Sequence, residues 1–252
     1  MPEAAGLYYR LYNQEARLPV VLIHGAGGNH LHWPTEIRRL PGMRMYALDL
    51  PGHGKSPGAG QQSIPAYVKT VQRWLHSVGL HRAVFVGHSM GGAIALWMGL
   101  EYPDNVFALG LLGTTASMKV NPGLIKDLAN TAHFEKAVSN IVSWSYSRKA
   151  PESLKSIAYR RMAKIRPSVL HGDFIACDKF DVGDRLGELR RPVLVICGEE
   201  DRMTPTAHVQ RLVDLAPQAR LEIVQGAGHM VMLEKPQGVT DILLRFLQGL
   251  KL

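Results

Sequence analysis

The chain has 252 residues, 46% of them hydrophobic and 20% charged. That is enough apolar material for one large core, and the balance excludes a disordered or fibrous protein. A formal net charge of +8 raises nucleic acid as a partner, but the basic residues are scattered and do not interleave with aromatic ones, which argues against it. No apolar run is long enough to span a bilayer, and the mixed composition of Met1–Arg17 does not read as a secretory signal. Cys177 and Cys197 form no metal or redox spacing, so a reducing, cytoplasmic setting is expected, with Cys197 a buried, inert thiol.

Taken in chain order, short apolar runs at Leu7–Leu11, Val20–Ile23 and Arg44–Leu48 read as strands. Two glycine-rich turns follow the second and third of them, His24-Gly25-Ala26-Gly27-Gly28 and Asp49–Ser56. Neither has the spacing of a dinucleotide fingerprint or a P-loop, so nucleotide binding is disfavoured. A helix is expected from Ile64 to Val78, with Ser63 as N-cap, Pro65 in the first turn and Gly79 as the stop. Its stripe of Tyr67, Val68, Val71, Trp74 and Leu75 belongs to a core. The strand Ala83–Val86 then runs into Gly87-His88-Ser89-Met90-Gly91-Gly92 and the apolar helix Ala93–Met98, and Phe107–Leu112 reads as the next strand.

Residues 115–183 break this alternation. Helix-like patches at Leu124–Thr131, Phe134–Ser145 and Leu154–Arg166 follow one another without a strand, which predicts a helical lid over the strand ends, where open α/β sheets bind ligands. The alternation resumes with strand Val193–Cys197, a helix from about Pro205 to Leu215, strand Arg220–Val224 and a last helix from Pro236 to Leu247. The expected architecture is α/β, a mostly parallel sheet covered on both faces. Its core is formed by residues 1–114 and 184–252, with 115–183 as cap. The stretch Arg148–Arg166 holds seven basic residues. It reads either as a solvated helical face or as a positive rim drawing in an anionic substrate or a carrier protein.

The chemistry centres on Ser89. A G-x-S-x-G turn between strand and helix lifts a serine hydroxyl clear of the sheet, and the helix N-terminus aims its free N–H groups at it. A serine needs a base to take its proton, and the base needs a partner to fix its tautomer. Of eleven histidines, His229 alone lies in a glycine-rich loop directly after a late strand, which makes it the expected general base. The acid is sought between the two in Gly198-Glu199-Glu200-Asp201, and the short side chain of Asp201 suits a fixed hydrogen bond; Glu199 or Glu200 then supplies helix-terminal charge. Carbonyl attack develops an oxyanion that needs two preorganised donors, expected at the backbone N–H groups of Met90 and Ala26.

Together these segments resemble the α/β-hydrolase-fold serine hydrolases, over nearly the whole chain and in the family's order: His24-Gly25, Asp49–Ser56, Gly87–Gly92, Gly198–Asp201 and Gly228-His229. The resemblance implies an eight-stranded sheet, a helical cap after the sixth strand, the triad Ser89, Asp201 and His229, and Ala26 and Met90 as oxyanion donors. Serine at 89 departs from the haloalkane dehalogenase and epoxide hydrolase branches, which carry Asp there. Met230 replaces the Trp of many meta-cleavage-product hydrolases, whereas Gly228–Pro236 is similar to small bacterial carboxylesterases. The expected activity is hydrolysis of small to medium carboxylic esters without metal or cofactor. The rivals are a thioesterase or carrier-linked methyl-ester hydrolase, a lipase, a C–C hydrolase and a cofactor-free perhydrolase. A ligand sensor of low turnover on the same scaffold is the rival of a different class.

Overall fold

The computed structural model describes residues 3–251. Eight strands, β1 (Glu3–Ala4), β2 (Leu7–Tyr12), β3 (Leu18–Ile23), β4 (Met43–Leu48), β5 (Ala83–His88), β6 (Val106–Leu112), β7 (Val193–Gly198) and β8 (Ala219–Val224), form one sheet in the order β1-β2-β4-β3-β5-β6-β7-β8. The β1–β2 and β2–β4 pairings are antiparallel and every pairing from β3 to β8 is parallel. All seven expected strands are present. The eighth strand that the resemblance implied is the two-residue β1, which periodicity did not locate because it is too short to carry an alternating pattern.

Helices cover both faces: α1 (Thr35–Arg38), α2 (Ile64–Ser77), α3 (Met90–Glu101), α4 (Pro122–Ala129), α5 (Phe134–Ser145), α6 (Glu152–Met162), α7 (Pro167–Asp178), α8 (Thr206–Leu215), α9 (Val231–Glu234) and α10 (Pro236–Gln248). Ser63 caps α2 as expected, its hydroxyl accepting from the Ala66 N–H at 3.4 Å. Strand periodicity divides the core cleanly. Val21, Ile23 and Phe85 face one layer with α2 and α3, while Val20, Leu22 and Val84 face the other with α1 and α10.

Between β6 and β7 the segment read as an insertion contains four helices, one more than its sequence patches suggested. The expected helix Leu154–Arg166 ends at Met162, and α7 begins at Pro167. Proline is favoured at a first helical position and cannot continue a helix that precedes it, so the break falls there. The parallel strands all point one way, and the loops leaving β3, β4, β5, β6, β7 and β8 therefore gather at one edge of the sheet. No helix among the described residues is long and apolar enough to cross a membrane.

Candidate active site

Ser89 joins β5 to α3 with φ 52° and ψ −118°, a left-handed backbone at a residue other than glycine. A serine before a helix ordinarily turns its hydroxyl onto the first-turn N–H groups. Here it makes no such cap bond, and Ser89 instead lines two cavities. The surrounding glycines are sterically required. A Cβ at Gly87 would lie 2.1 Å from the Gly91 carbonyl oxygen, and one at Gly91 would lie 2.1 Å from that of Ile23. Any larger residue would push strand and helix apart.

His229 leaves the loop after β8, and its Nδ1 lies 2.9 Å from Oδ2 of Asp201, in the loop after β7. Both residues are buried. Asp201 Oδ1 accepts the backbone N–H groups of Met203 and Thr204, each at 2.8 Å, and Oδ2 also accepts the Thr204 hydroxyl at 2.6 Å. Burial alone would raise the Asp201 pKa, but the His229 charge and these hydrogen bonds outweigh it and hold the carboxyl below its ordinary range. Gly113, after β6 at φ +53°, allows the close approach: its Cβ would stand 3.0 Å from His229 Nδ1 and 3.4 Å from Asp201 Oδ2. The neighbouring carboxylates do not supply the helix-terminal charge expected of them. Glu199 accepts the Gly226 N–H and Glu200 the Arg148 N–H, both at 3.0 Å, so they brace loops.

His88, Thr204, His32 and Asp173 also belong to the site, and the sequence did not single them out for it. His88 Nε2 donates to the His229 carbonyl at 3.0 Å, and the two rings lie 4.8 Å apart. A carbonyl only accepts, so Nε2 carries the proton and the buried, unpartnered Nδ1 is a bare lone pair. Burial and then the neighbouring His229 push His88 down to about 3, so it stays neutral. His32 shares the cavity with Arg161; desolvation and then the Arg161 charge lower it to about 4.

Ala26, in the loop after β3, lines both cavities, and Met90 starts α3. Among the described residues neither backbone N–H finds a protein acceptor, whereas the two that follow Ala26 do. Gly28 donates to Gly25 and Gly27 donates to Asp173 Oδ2 at 2.8 Å. His24 anchors the same loop: its Nε2 accepts the Leu50 N–H at 3.0 Å, leaving Nδ1 to donate to the Gly25 carbonyl at 2.8 Å. The Asp49–Ser56 turn is no phosphate cradle, because Asp49 already fills it with a carboxylate that accepts from His30 and Lys55.

One cavity, of about 110 Å³, is narrow and mostly apolar, walled by Ile141, Val142, Leu154, Ile157, Ala158 and Met162 from α5 and α6. The other, of about 640 Å³, is wider and more polar and includes Thr115, Ser117, Asn121 and His208. Ser89, His229, Ala26, Phe174 and Met203 are common to both. Among the apolar residues between β6 and β7, Ile141, Met162, Phe174, Leu124 and Trp144 line a cavity. Leu128 and Phe134 line neither cavity and pack only in the core. Within the basic stretch, Arg161 reaches the narrow cavity, while Arg166 donates to the Gly52 and Gly58 carbonyls. Arg148, Lys155 and Arg160 line a separate surface groove.

A strained serine between a strand and a helix, a buried carboxylate–imidazole pair and free backbone donors at one sheet edge are the equipment of a hydrolase. The chain belongs to the alpha/beta hydrolase family, whose model matches residues 20–242. It is similar to the 2-hydroxy-6-oxo-6-phenylhexa-2,4-dienoate hydrolase of Burkholderia cepacia, at 27% identity over 90% of this chain and 87% of that protein. Among solved structures it is similar to a thermophilic esterase (32% identity, TM-score 0.82, 97% of this chain and 98% of that one). It is also similar to Est816, described as an N-acyl homoserine lactone degrading enzyme (25% identity, TM-score 0.83, 95% and 96%).

Proposed function

We propose that this protein is a serine esterase acting on carboxylic esters with small to medium, apolar acyl groups. The observation that carries the reading is the Asp201–His229 hydrogen bond at a cavity shared with Ser89. Ser89 Oγ attacks the acyl carbon while His229 Nε2 takes its proton, and Asp201 holds the imidazole in the tautomer that leaves Nε2 free to accept. The negative charge developing on the acyl oxygen is met by the N–H groups of Ala26 and Met90. His229 then gives its proton to the leaving alkoxide. Water, deprotonated by the same imidazole, attacks the acyl-enzyme, releases the acid and restores Ser89.

The apolar lining of the narrow cavity favours the acyl preference, and helices of residues 115–183 supply much of that lining, which is the role of a cap. The substrate is read as a small molecule in a cytoplasmic setting, in keeping with two buried free thiols. The test is turnover of p-nitrophenyl esters of graded acyl length, with acyl thioesters in parallel, and labelling of Ser89 by a fluorophosphonate. Wild-type protein that neither labels nor turns over would refute the esterase reading and favour a ligand sensor. Thioesters outpacing esters would move the assignment to carrier-linked substrates.

C–C bond hydrolysis is the second reading, favoured by the likeness to the Burkholderia cepacia hydrolase. Met230 weighs against it, and a vinylogous diketone dienoate in the same assay separates the two.

A further inference from the structure

Asp173 is a fully buried carboxylate on α7, within the segment between β6 and β7. Its Oδ1 accepts the Tyr67 hydroxyl at 2.5 Å. Its Oδ2 lies 2.8 Å from His53 Nε2 and accepts the Gly27 N–H at 2.8 Å. Both oxygens are thus satisfied by three donors from three other parts of the chain, as burial of a charge demands. Two of these partners, Tyr67 on α2 and His53 in the turn after β4, are scaffold. The third is the backbone beside Ala26.

Gly27 has φ +63°, and a Cβ there would lie 2.8 Å from Leu170 and 3.0 Å from Ile165. So α7 and the turn before it press on this loop from one side while Asp173 ties it from within. An oxyanion donor contributes only if it is held in place before the charge develops. The Gly27 N–H is one peptide removed from that of Ala26, and a charge-assisted bond at the first restricts rotation of the peptide plane that sets the second.

Resting on the esterase reading, we infer that Asp173 is a positioning residue for the oxyanion site: from α7 it fixes the Gly27 peptide and thereby aims the Ala26 N–H. The helices between β6 and β7 then do more than wall the substrate cavity, since seating α7 completes the electrostatic equipment of the site.

Asp173→Leu keeps the branching and number of heavy atoms and removes every acceptor. It is expected to lower kcat by about ten- to a hundredfold, less than outright loss of an oxyanion donor, with KM nearly unchanged. Binding of a trifluoromethyl ketone, whose adduct carries an oxyanion, is expected to weaken in step with kcat/KM, while binding of the product carboxylate does not. Asp173→Asn keeps a carbonyl for Gly27 and is expected to restore most of kcat. Tyr67→Phe removes a bond to the same carboxylate and leaves Gly27 alone; it is expected to lower Tm without lowering kcat. A wild-type kcat in Asp173→Leu, or an equal fall in Tyr67→Phe, would overturn the inference.

Should Asp173→Leu not fold, NMR of the wild-type protein decides. A slowly exchanging, downfield Gly27 amide proton supports the bond, and a fast-exchanging one overturns it. That readout is independent of turnover, so it separates failure of this inference from failure of the esterase reading, which fluorophosphonate labelling tests.

Discussion

At the scale of single residues, the proposed nucleophile Ser89 sits on a strained backbone. Replacing it with alanine is expected to lower kcat by about 10⁴-fold or more while Tm moves little, as deletion of a nucleophile does when its contacts are few. Ser89→Gly is equally inactive but is expected to be more stable than Ser89→Ala by about 1 kcal/mol, because glycine adopts φ 52° without strain. Thermal melts of the two variants measure the difference. Ser89, His229 and Asp201 were readable because each sits in a short loop directly after an apolar run. Asp173 was not. Its partners Tyr67, His53 and Gly27 lie 106, 120 and 146 positions away, and a lone carboxylate in a helical patch carries no mark of a contact at that distance.

At the scale of elements, α5 and α6 supply much of the apolar wall of the narrow cavity. Ala158 on α6 faces the narrow cavity among Leu154, Ile157 and Met162, so Ala158→Phe adds volume where the acyl chain of a longer ester would lie. It is expected to shift kcat/KM toward acetyl and away from hexanoyl esters by at least about tenfold, since each methylene in such a pocket contributes about 1–3 kcal/mol. The acyl-length series reads this directly. The sheet and the α2 helix were legible because periodicity and capping agreed there, with Ser63 and Gly79 marking the ends. The helices of residues 122–178 were legible as helical but not in number or contact. Their apolar residues face the core, a cavity or one another, and a one-dimensional pattern does not distinguish these neighbours. That is why Leu128 and Phe134 pack only in the core while Ile141 both packs there and lines a cavity.

At the scale of the whole molecule, buried imidazoles set the response to pH. Burial holds His24 and His88 neutral in the folded chain, His24 well below 6.5 and His88 at about 3. Between about pH 3 and 6.5 the unfolded chain therefore binds more protons, and stability rises with pH through that window. Asp201 acts in the same sense at the acid end, its contribution present above 3.8 and lost as pH falls through its lowered folded value. His53 acts oppositely. Burial alone would lower it, but Asp173 raises it, so its contribution is complete below 6.5 and lost as pH climbs through the raised value. Melting temperature is expected to peak near neutrality, and His88→Asn to flatten the acid limb; an unchanged limb would contradict the assignment. The strand order adds a mechanical corollary. Because β8 is the outermost strand and touches the sheet through β7 alone, the imidazole hangs from the margin that frays first when the fold loosens. Mild denaturant should therefore silence hydrolase turnover before circular dichroism registers any melting, and a cross-link pinning β8 to β7 should bring the two transitions together.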